Sequence, residues 1–517
     1  MGYLLDAERS GFFQELTPEE RAEYLSLKAR KSVHMIDNIY YTVFVKGDSK
    51  EDIPPGLQDL LDDLEENKAE AIKIREPIEY EHGLYYLLKS YKLYSYCVGN
   101  PDLYDIFCCK TLPNDDTPRI MVQIRAFGLW TQGKDTMLSE SFDKVQALLA
   151  QHACTVDWCR ESRIDYCFHT NSISNFSRLV DGNKGKVKNL HSNLKRRTRT
   201  DDVINEEDGV RHIVDYVCYG TIKANNVRAR MYDKVKEVIE ESGKSFFFKI
   251  WHDEGLISYY DKWCMEYAFQ ERNMDYLFKA ALAFYVAHGT DPLRKECYRN
   301  ALKSSKATLA QFKELAAQHM PKVTTILNIE YETKRKFYYY SDHFINGFKL
   351  TEERGNISKP MERLYKIMDY RAIFLDYLTS KTLAFYKGTD ENGEPKYLAW
   401  WKRLRNTKHD GKKVDIKLIR EYSYQMDKKA VQKQWINKTA AYAVYEDKLE
   451  SGFVPDLSDM LADLTDNQAR KMLLVAEDGE VIERVNGELF KDYAVTKAKK
   501  EKALKNRKKR RNKQKEE

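Results

Sequence analysis

The 517-residue sequence has little proline (12 residues) and glycine (23), and it has no long apolar run. The low proline and glycine content excludes a collagen-like chain, and 42% apolar with 12% aromatic residues excludes an intrinsically disordered one. No stretch approaches the ~20 apolar residues of a membrane span, and the first residues lack the apolar core of a signal peptide. We therefore expect a soluble, non-secreted protein of about three domains.

Cysteine is present, but in no arrangement that would build a scaffold. The nine cysteines are odd in number, and no two of them form a C-x-x-C pair. This argues against a framework of disulfides and against a zinc ribbon. We predict that the thiols are reduced and mostly buried, as in an intracellular protein.

Charge is distributed unevenly. The net charge of +6 depends on residues 497–517, where 12 Lys or Arg stand against 3 Glu, so the rest of the chain carries about −3. Residues 184–199 carry seven Lys or Arg and no acidic residue. Both segments favour an anionic partner, nucleic acid above all, although a solvated loop or a frayed terminus has the same composition. For 184–199 we prefer a DNA track with salt-sensitive binding, and for the tail both interpretations stay open.

Secondary-structure signals change along the chain. Residues 17–30 (TPEERAEYLSLKAR) begin like a helix with a capping box, residues 31–269 alternate between strands and turns, and the segments after residue 274 have helical periodicity. The predicted strands are 35–45, 85–99, 105–112, 119–128, 162–169, 213–220, 227–234 and 262–270. We predict an α+β protein in which a largely antiparallel sheet is followed by a mostly helical C-terminal region.

Three of the predicted strands share one alternating pattern. Residues 162–169 (SRIDYCFH), 227–234 (VRARMYDK) and 262–270 (KWCMEYAFQ) each place bulky apolar side chains on one face and ionisable groups on the other. On the polar faces lie Asp165, Tyr232 and Glu266. If the strands pair in one sheet, these three side chains converge.

Such a set of side chains can cleave a phosphodiester. Two carboxylates can bind Mg²⁺ or Mn²⁺, a tyrosine can attack phosphorus and become linked to it, and basic neighbours can neutralise the phosphate. Those neighbours would also lower the tyrosine pKa from its usual ~10. Each residue taken singly has a structural explanation, so only the combination supports a DNA strand-nicking enzyme.

Four segments occur in the order in which the replication-initiation-factor family has them. Residues 218–234 (CYGTIKANNVRARMYDK) resemble its active-site segment, an aromatic-X-Gly-Ser turn followed by Arg-hydrophobic-Tyr-Asp/Asn-Lys. Residues 162–169 resemble its Thr-Arg-Ile-Asp-Leu-Ala-Phe-Asp motif, residues 263–272 its Glu strand, and residues 35–42 (MIDNIYYT) its first Asp strand. The family comprises Rep_trans-type rolling-circle plasmid initiators and related relaxases of Gram-positive conjugative elements.

The resemblance implies a bacterial, cytoplasmic DNA nickase that initiates rolling-circle replication or conjugative transfer. Tyr232 would be the nucleophile that becomes linked to the 5′-phosphate, and Asp165 and Glu266 would bind Mg²⁺ or Mn²⁺. Asp37 is a weaker metal ligand, because alternation places it on an apolar strand face with Ile39. No membrane partner is expected.

The basic residues have roles by the same resemblance. Arg230 and Lys234 would contact the scissile phosphate or orient the carboxylates. Arg163 would do the same, although a bidentate structural pair with a carboxylate explains it equally well. The expected DNA-binding residues are Arg163, Arg228, Lys195, Arg196, Arg197 and Arg199.

The resemblance covers about residues 33–290, which we take as the catalytic domain. An N-terminal helical extension (1–32) would precede it, and a mostly helical domain (291–496) and a disordered basic tail (497–517) would follow. The helical domain has three open roles, which are DNA binding, helicase binding and homodimer formation. Trp400 and Trp401 within it could stack on bases, but a place in a helical core is preferred.

The sequence also departs from the family pattern. His169 stands where the family has a second Asp, Thr221 where it has Ser, and Cys264 where Arg precedes the Glu strand. His169 could replace the Asp as a metal ligand, or it could be a locally satisfied core residue.

Two motifs of related machinery are missing from the sequence. It has neither a His-hydrophobic-His pair nor a P-loop, so it lacks the two-histidine motif of other relaxases, and strand separation would need a helicase partner. A non-catalytic DNA-binding relative and an RNA-binding protein remain the alternative hypotheses.

Overall fold

The computed structural model describes residues 30–407 except 115, 174–175, 182–185, 195, 199–202, 207–208, 213–215, 221–225, 305 and 340–358. Outside the described residues lie most of the predicted helix 17–30, the predicted helical segment beyond residue 407 and the basic tail. Lys195, Arg199 and Thr221 lie outside them too. Contacts divide the chain after Arg420, so all described residues belong to the first of two units.

The strands are β1 (Ser32–Val45), β2 (Ile78–Tyr80), β3 (Leu84–Tyr86), β4 (Tyr96–Asn100), β5 (Tyr104–Cys108), β6 (Ile120–Ile124), β7 (Val156–Thr170), β8 (Val180–Asp181), β9 (Lys186–Val187), β10 (Leu190–Ser192), β11 (Arg196–Thr198), β12 (Val203–Glu206), β13 (Gly209–His212), β14 (Tyr216–Tyr219), β15 (Val227–Asp233), β16 (Leu327–Lys334), β17 (Leu383–Thr389) and β18 (Pro395–Tyr397). Eleven of them form one sheet in the order β11-β14-β15-β16-β7-β1-β6-β5-β4-β3-β2. Every pairing in it is antiparallel, which confirms the α+β prediction.

The helices are α1 (Pro55–Ile74), α2 (Ala126–Thr131), α3 (Lys134–Gln151), α4 (Lys234–Lys236, continued by a π-helical turn Glu237–Ser242), α5 (Phe246–Asp253), α6 (Tyr259–Gln270), α7 (Tyr276–His288), α8 (Pro292–Lys303), α9 (Leu309–His319), α10 (Arg335–Tyr339), α11 (Glu362–Asp369), α12 (Arg371–Tyr377, continued by a π-helical turn Leu378–Thr382) and α13 (Ala399–Arg405). Short 3₁₀ turns occur at Glu81–Gly83 and Phe176–Leu179. Within the described part of the chain, no helix is long and apolar enough to cross a membrane.

The predicted strand 262–270 is wrong, because these residues belong to helix α6. Ser258 caps the helix by accepting the backbone N–H of Asp261, whose carboxylate in turn accepts the N–H of Ser258. Tyr260, Trp263 and Cys264 are buried at the helical spacing of three and four residues. Alternating aromatic residues therefore resembled a strand while the burial period is that of a helix.

Strand β16 was missed by the sequence analysis, and it occupies the place that the predicted strand 262–270 was expected to fill. Its sequence LNIEYETK alternates apolar with polar residues, and it pairs with β15 on one side and β7 on the other. The central sheet therefore extends beyond the predicted domain boundary at residue 290. Helices α7, α8 and α9 lie between β15 and β16 in sequence, so part of the predicted helical domain is an insertion within the sheet.

The main core lies on one face of the central strands. Helices α1, α3, α11 and α12 contribute to it, together with apolar residues such as Ile164, Ala229 and Ile329. A second core, built from α4, α5 and α6, includes Cys167 from the opposite face of β7. The sheet is thus covered on both faces where the polar strand residues lie.

Two smaller predictions are confirmed. Trp400 and Trp401 are buried and pack against Phe385, and the indole N–H of Trp401 donates to the carbonyl of Thr379 at 3.0 Å. All nine cysteines are free, and only Cys218 and Cys297 are not buried.

Candidate active site

Three neighbouring strands place a grid of polar side chains on one face of the sheet. Opposite positions across β15, β16 and β7 form three rows. The rows are Tyr232–Asn328–His169, Arg230–Glu330–Cys167 and Arg228–Glu332–Asp165. Because side chains alternate along a strand, the residues between them (Ala229, Ile329 and Phe168 among others) point into the main core. The alternating sequence therefore forces nine chemically active side chains onto one surface.

Tyr232 is half-buried at one end of this grid and hydrogen-bonds to an acid. Its hydroxyl donates to Oε2 of Glu330 at 3.2 Å, and Arg230 forms an ion pair with the other carboxylate oxygen of Glu330. Burial raises the pKa of Tyr232 well above its ordinary value, against the lowering effect of Lys234, and Glu330 raises it further. Lys234 and Arg230 do act to lower this pKa, as expected, but burial outweighs them and the overall shift is upward.

The residues after Tyr232 position Lys234 beside it. The Asp233 carboxylate accepts the backbone N–H groups of Val235 at 2.9 Å and Lys236 at 3.2 Å, so it caps helix α4. The chain turns there, and the Lys234 ammonium lies 5.5 Å from the centre of the Tyr232 ring. Lys234 is 1% exposed. Asp233 thus fixes the turn after the tyrosine, and the turn places the buried ammonium of Lys234 beside the Tyr232 ring.

Asp165 is buried, and its carboxylate accepts two hydrogen bonds from the guanidinium of Arg163. The distances are 2.7 Å from Nε to Oδ1 and 2.6 Å from Nη2 to Oδ2, so the structural pair proposed for Arg163 is present. Asn38 donates a third hydrogen bond to this carboxylate at 3.2 Å. Burial raises the pKa of Asp165 to about 7 against the effect of Arg163, and the nearby carboxylates Glu330 and Glu332 raise it further. Burial thus outweighs the bidentate arginine, and the ionised form of Asp165 is costly in the folded chain.

Asp37 lies at a β-bulge, which alters its predicted orientation. The register between β1 and β7 shifts between Ile36 and Asn38, so Asp37 is the extra residue. Its Oδ2 lies 4.0 Å from the Lys244 ammonium, and its buried Oδ1 has no partner among the described residues. Burial raises the pKa of Asp37, but Lys244 and other nearby cations outweigh it and lower the pKa overall. The alternation that assigned Asp37 to the apolar face fails at the bulge.

Cys167 lies at the β7 end of the middle row of the grid. Burial raises the pKa of its thiol, and the charges of Asp37, Glu330 and Asp165 raise it further. Three carboxylates thus act on this side chain, and carboxylate oxygens are the ligand type that Mg²⁺ and Mn²⁺ prefer. Among the described residues, no group of three His, Cys, Asp or Glu side chains is already arranged to hold a metal. The carboxylate oxygens are suitable ligands for a divalent cation, but arginine side chains already pair with several of these carboxylates.

The other predicted ligand, Glu266, is not brought to this face. It lies on helix α6, its side chain is 36% exposed, and its nearest cation is Lys262 at 3.7 Å. Burial raises the pKa of Glu266. The acid that the structure brings beside Tyr232 is Glu330.

The predicted DNA-binding residues fall into two sets. Arg228 lies in the grid with its Nε 3.9 Å from the carboxylate of Glu332, and Arg163 approaches the same carboxylate at 3.3 Å from the other side. Arg196 and Arg197 belong to strand β11, which pairs with β14 at the edge of the sheet nearest β15. The basic segment 184–199 therefore contributes a strand two positions from the strand of Tyr232.

Sequence reasoning missed Asn328, Glu330 and Glu332. The signal was available, because residues 327–333 alternate Leu, Ile, Tyr and Thr with Asn, Glu and Glu. The segment follows about fifty residues of helical periodicity, so the alternation is short and isolated in the sequence.

No family model matches the chain, and no curated protein matches it. Among solved structures, a rolling-circle replication initiator protein from Geobacillus stearothermophilus aligns with 72% of this chain and 96% of its own, at 12% sequence identity and a TM-score of 0.32. This likeness is too low to define the fold or the activity of the chain, so function has to be argued from its side chains.

Proposed function

We propose that the chain is a metal-dependent enzyme that nicks and rejoins DNA through a covalent bond between Tyr232 and a 5′-phosphate. The observation that carries the proposal is the hydrogen bond from the Tyr232 hydroxyl to Glu330, whose carboxylate also forms an ion pair with Arg230. An aromatic hydroxyl next to a carboxylate base and a buried lysine is the arrangement that an activated oxygen nucleophile needs. Initiation of rolling-circle replication, or conjugative transfer, is the biological role that the sequence resemblance favours.

The chemistry divides between Tyr232 and Glu330. Glu330 takes the hydroxyl proton as Tyr232 Oη attacks phosphorus. A new Oη–P bond forms, the P–O3′ bond breaks, and the leaving 3′ oxygen takes a proton from water. In the joining step, a free 3′ hydroxyl gives its proton to water and attacks phosphorus, the Oη–P bond breaks, and Glu330 returns its proton to Tyr232 Oη. Because the pKa of Tyr232 is raised in the substrate-free chain, a base is required for the attack.

Cations supply the complementary charge. Lys234 lies over the Tyr232 ring, and Arg230 lies one row away, so both can approach a phosphate that reaches the hydroxyl. A negative phosphate disfavours the tyrosinate form, as burial does, so these cations must stay beside the oxygen to offset both effects. Arg163, Arg228 and strand β11 would bind the flanking DNA backbone, which predicts salt-sensitive binding.

The proposed ligands of the divalent cation are Asp165, Glu330 and Asp37. Asp37 has an unpartnered buried oxygen in the described structure, and Asp165 is destabilised as an anion by Glu330. Bound Mg²⁺ or Mn²⁺ would polarise the phosphate and stabilise charge in the displacement. Glu266, assigned as a ligand by resemblance, is placed second to Glu330 in this proposal. DNA, single-stranded or as a hairpin at the origin, is the proposed partner, and a helicase would separate the strands.

The proposal is tested with the full chain, Mn²⁺, and supercoiled or single-stranded DNA of the replicon that encodes it. A denaturing gel should show a nick, and mass spectrometry should find the DNA adduct on the peptide that contains Tyr232. Tyr232→Phe should abolish the adduct and leave DNA binding within about twofold, because the hydroxyl contributes one hydrogen bond to the fold.

Three results would contradict the proposal. Nicking by Tyr232→Phe at the wild-type rate would refute the nucleophile. Tight, salt-sensitive DNA binding without any nick would favour the non-catalytic DNA-binding relative. Preference for RNA over a DNA hairpin of the same sequence would favour the RNA-binding protein.

A further inference from the structure

His169 is enclosed by aromatic rings at the edge of the grid. Its side chain is 0% exposed, and the Trp130 ring stacks on it with centroids 4.7 Å apart and planes 18° from parallel. Phe247 contacts it edge-on at 5.1 Å. From the third side, the indole N–H of Trp251 donates to Nδ1 of His169 at 2.9 Å. The imidazole is therefore fixed in orientation.

The bond from Trp251 also fixes the tautomer. An indole nitrogen only donates, so Nδ1 of His169 must be an acceptor and carries no hydrogen. The imidazole is consequently neutral, and its hydrogen lies on Nε2. Burial lowers the pKa of His169 well below its ordinary value, with Lys234 acting in the same direction, which agrees with a neutral ring. A nitrogen that carries hydrogen has no lone pair for a metal, so this arrangement disfavours the role of metal ligand.

The free donor belongs to the row that contains the nucleophile. Tyr232, Asn328 and His169 occupy directly opposite positions on three adjacent strands. Asn328 is 0% exposed, and neither its amide nitrogen nor its amide oxygen has a partner among the described residues. Nε2 of His169 lacks a partner within the same described set. Buried donors without partners are costly and rare in folded proteins, which points to a ligand.

The surrounding charge indicates the sign of that ligand. Lys234 and Lys244 both act on His169 electrostatically, and Arg230 lies in the next row. Asp37 is the acidic neighbour, and it does not accept the Nε2 hydrogen. Two neutral donors bordered by cations match the nonbridging oxygens of a phosphate.

We propose that His169 and Asn328 donate hydrogen bonds to the nonbridging oxygens of the phosphate that Tyr232 attacks. This inference rests on the proposed function and assigns His169, a departure from the family pattern, the role of an oxyanion donor in place of a metal ligand. The donors gain strength as negative charge grows on those oxygens during formation of the Oη–P bond. Neither residue gains or loses a proton in the step.

Variants of the full chain separate a donor from a ligand. His169→Leu and Asn328→Leu should each slow nicking by about 100-fold, while the half-saturating Mn²⁺ concentration stays unchanged. His169→Gln, whose amide N–H reaches about as far as Nε2, should retain most of the rate. His288→Gln on helix α7 is the matched control for loss of a histidine and should nick like the wild type. A half-saturating Mn²⁺ concentration raised about tenfold or more in both His169 variants would overturn the proposal in favour of a metal ligand.

A second measurement does not depend on nicking or on the fold of the leucine variants. In protein labelled with ¹⁵N-histidine, long-range proton–nitrogen spectra report the tautomer, and His169→Gln assigns the signal. The expected result is hydrogen on Nε2 and a shift of that signal when inorganic phosphate is added. Hydrogen on Nδ1, or no shift with phosphate, would refute the donor role. If the tautomer and shift are as expected but the wild-type chain never nicks, the phosphate site stands and the proposed function fails.

Discussion

The two faces of β15, β16 and β7 are built from the same strands but treat their polar atoms differently. On the core face, the Thr333 hydroxyl donates to the carbonyl of Ile164 at 2.7 Å, and the hydroxyls of Tyr338 and Tyr166 bond each other at 3.1 Å. On the opposite face, His169 and Asn328 leave buried donors without partners in the described structure. The named hydroxyls of the core face are thus paired within the protein, whereas Nε2 of His169 and the amide of Asn328 on the opposite face have no partner among the described residues.

The same contrast holds for two arginine–carboxylate pairs on β7. Arg363 and Glu161 form two hydrogen bonds of 2.6 Å and are 3% and 0% exposed, and this pair joins α11 to the sheet. Arg163 and Asp165 are bonded just as closely, but two further acids lie nearby and the Arg163 side chain is 23% exposed. Similar geometry therefore forms an isolated structural pair at Glu161, whereas at Asp165 the pair belongs to a network of several acids and arginines.

The largest expected effect is on the catalytic face. Glu330→Gln keeps the side-chain shape but removes the base that accepts the Tyr232 proton, so the nicking rate should fall by about 10²–10⁴-fold. The free energy of unfolding should also fall, by about 3–5 kcal/mol, because the amide leaves the Arg230 guanidinium without its buried ion partner, so rates are compared on folded protein. The measurement is single-turnover formation of the phosphotyrosine adduct, with unfolding by urea as the control. Wild-type adduct formation would eliminate Glu330 as the base.

The adjacent residue should show the opposite behaviour. Ile329 is fully buried on the core face between Met231 and Phe168. Ile329→Ala should lower the free energy of unfolding by about 2–5 kcal/mol, while folded molecules nick at the wild-type rate. Urea unfolding and an activity assay at low temperature measure the two quantities. A specific loss of nicking by the folded variant would mean that the faces are not independent.

This separation of faces is the part that sequence could predict. Period-two alternation identified the polar face of β15 and β7, with Tyr232 and Asp165 on it. It failed at Asp37, because a bulge shifts the register and no local residue pattern announces it. Alternation also predicted a strand where helix α6 lies and did not predict strand β16. Aromatic residues are compatible with both a strand and a helix, and the local signal for the helix is the capping box that begins at Ser258.

The remaining features depend on packing between distant segments. The hydrogen bond from Trp251 to His169 joins residues 82 positions apart, and that from Tyr232 to Glu330 joins residues 98 apart. Which donor meets which acceptor follows from strand order, and in that order β15 and β16 are neighbours although six helices, α4 to α9, separate them in sequence. Composition and periodicity contain no such information.

The pH dependence of stability should expose the cost of ionising the buried Asp165. Its pKa is raised to about 7 in the folded chain, above the ordinary 3.8, so the unfolded chain releases this proton first as pH rises. The contribution therefore lowers stability progressively between about pH 4 and 7, on the order of 4 kcal/mol in total. Asp165→Asn should lack this fall, which urea unfolding at several pH values measures.

The same urea unfolding series, repeated with Mn²⁺, tests whether Asp165 binds the cation. A bound divalent cation favours the ionised carboxylates, so saturating Mn²⁺ should reduce the fall in wild-type stability with pH and leave Asp165→Asn almost unaffected. An equal effect of Mn²⁺ on both proteins would argue against Asp165 as a ligand.

The smallest effect is expected at Glu266, the acid that resemblance selected and the fold places elsewhere. Its contact with Lys262 on helix α6 is a partly exposed i,i+4 pair, worth about 0.3–0.5 kcal/mol. Glu266→Gln should therefore leave nicking, the half-saturating Mn²⁺ concentration and stability close to those of the wild type, in contrast to Glu330→Gln. If Glu266→Gln instead abolished nicking with DNA binding intact, the grid on β15, β16 and β7 would lack a ligand that α6 must supply. Comparison of Glu266→Gln with Glu330→Gln thus decides whether the sheet face alone forms the site.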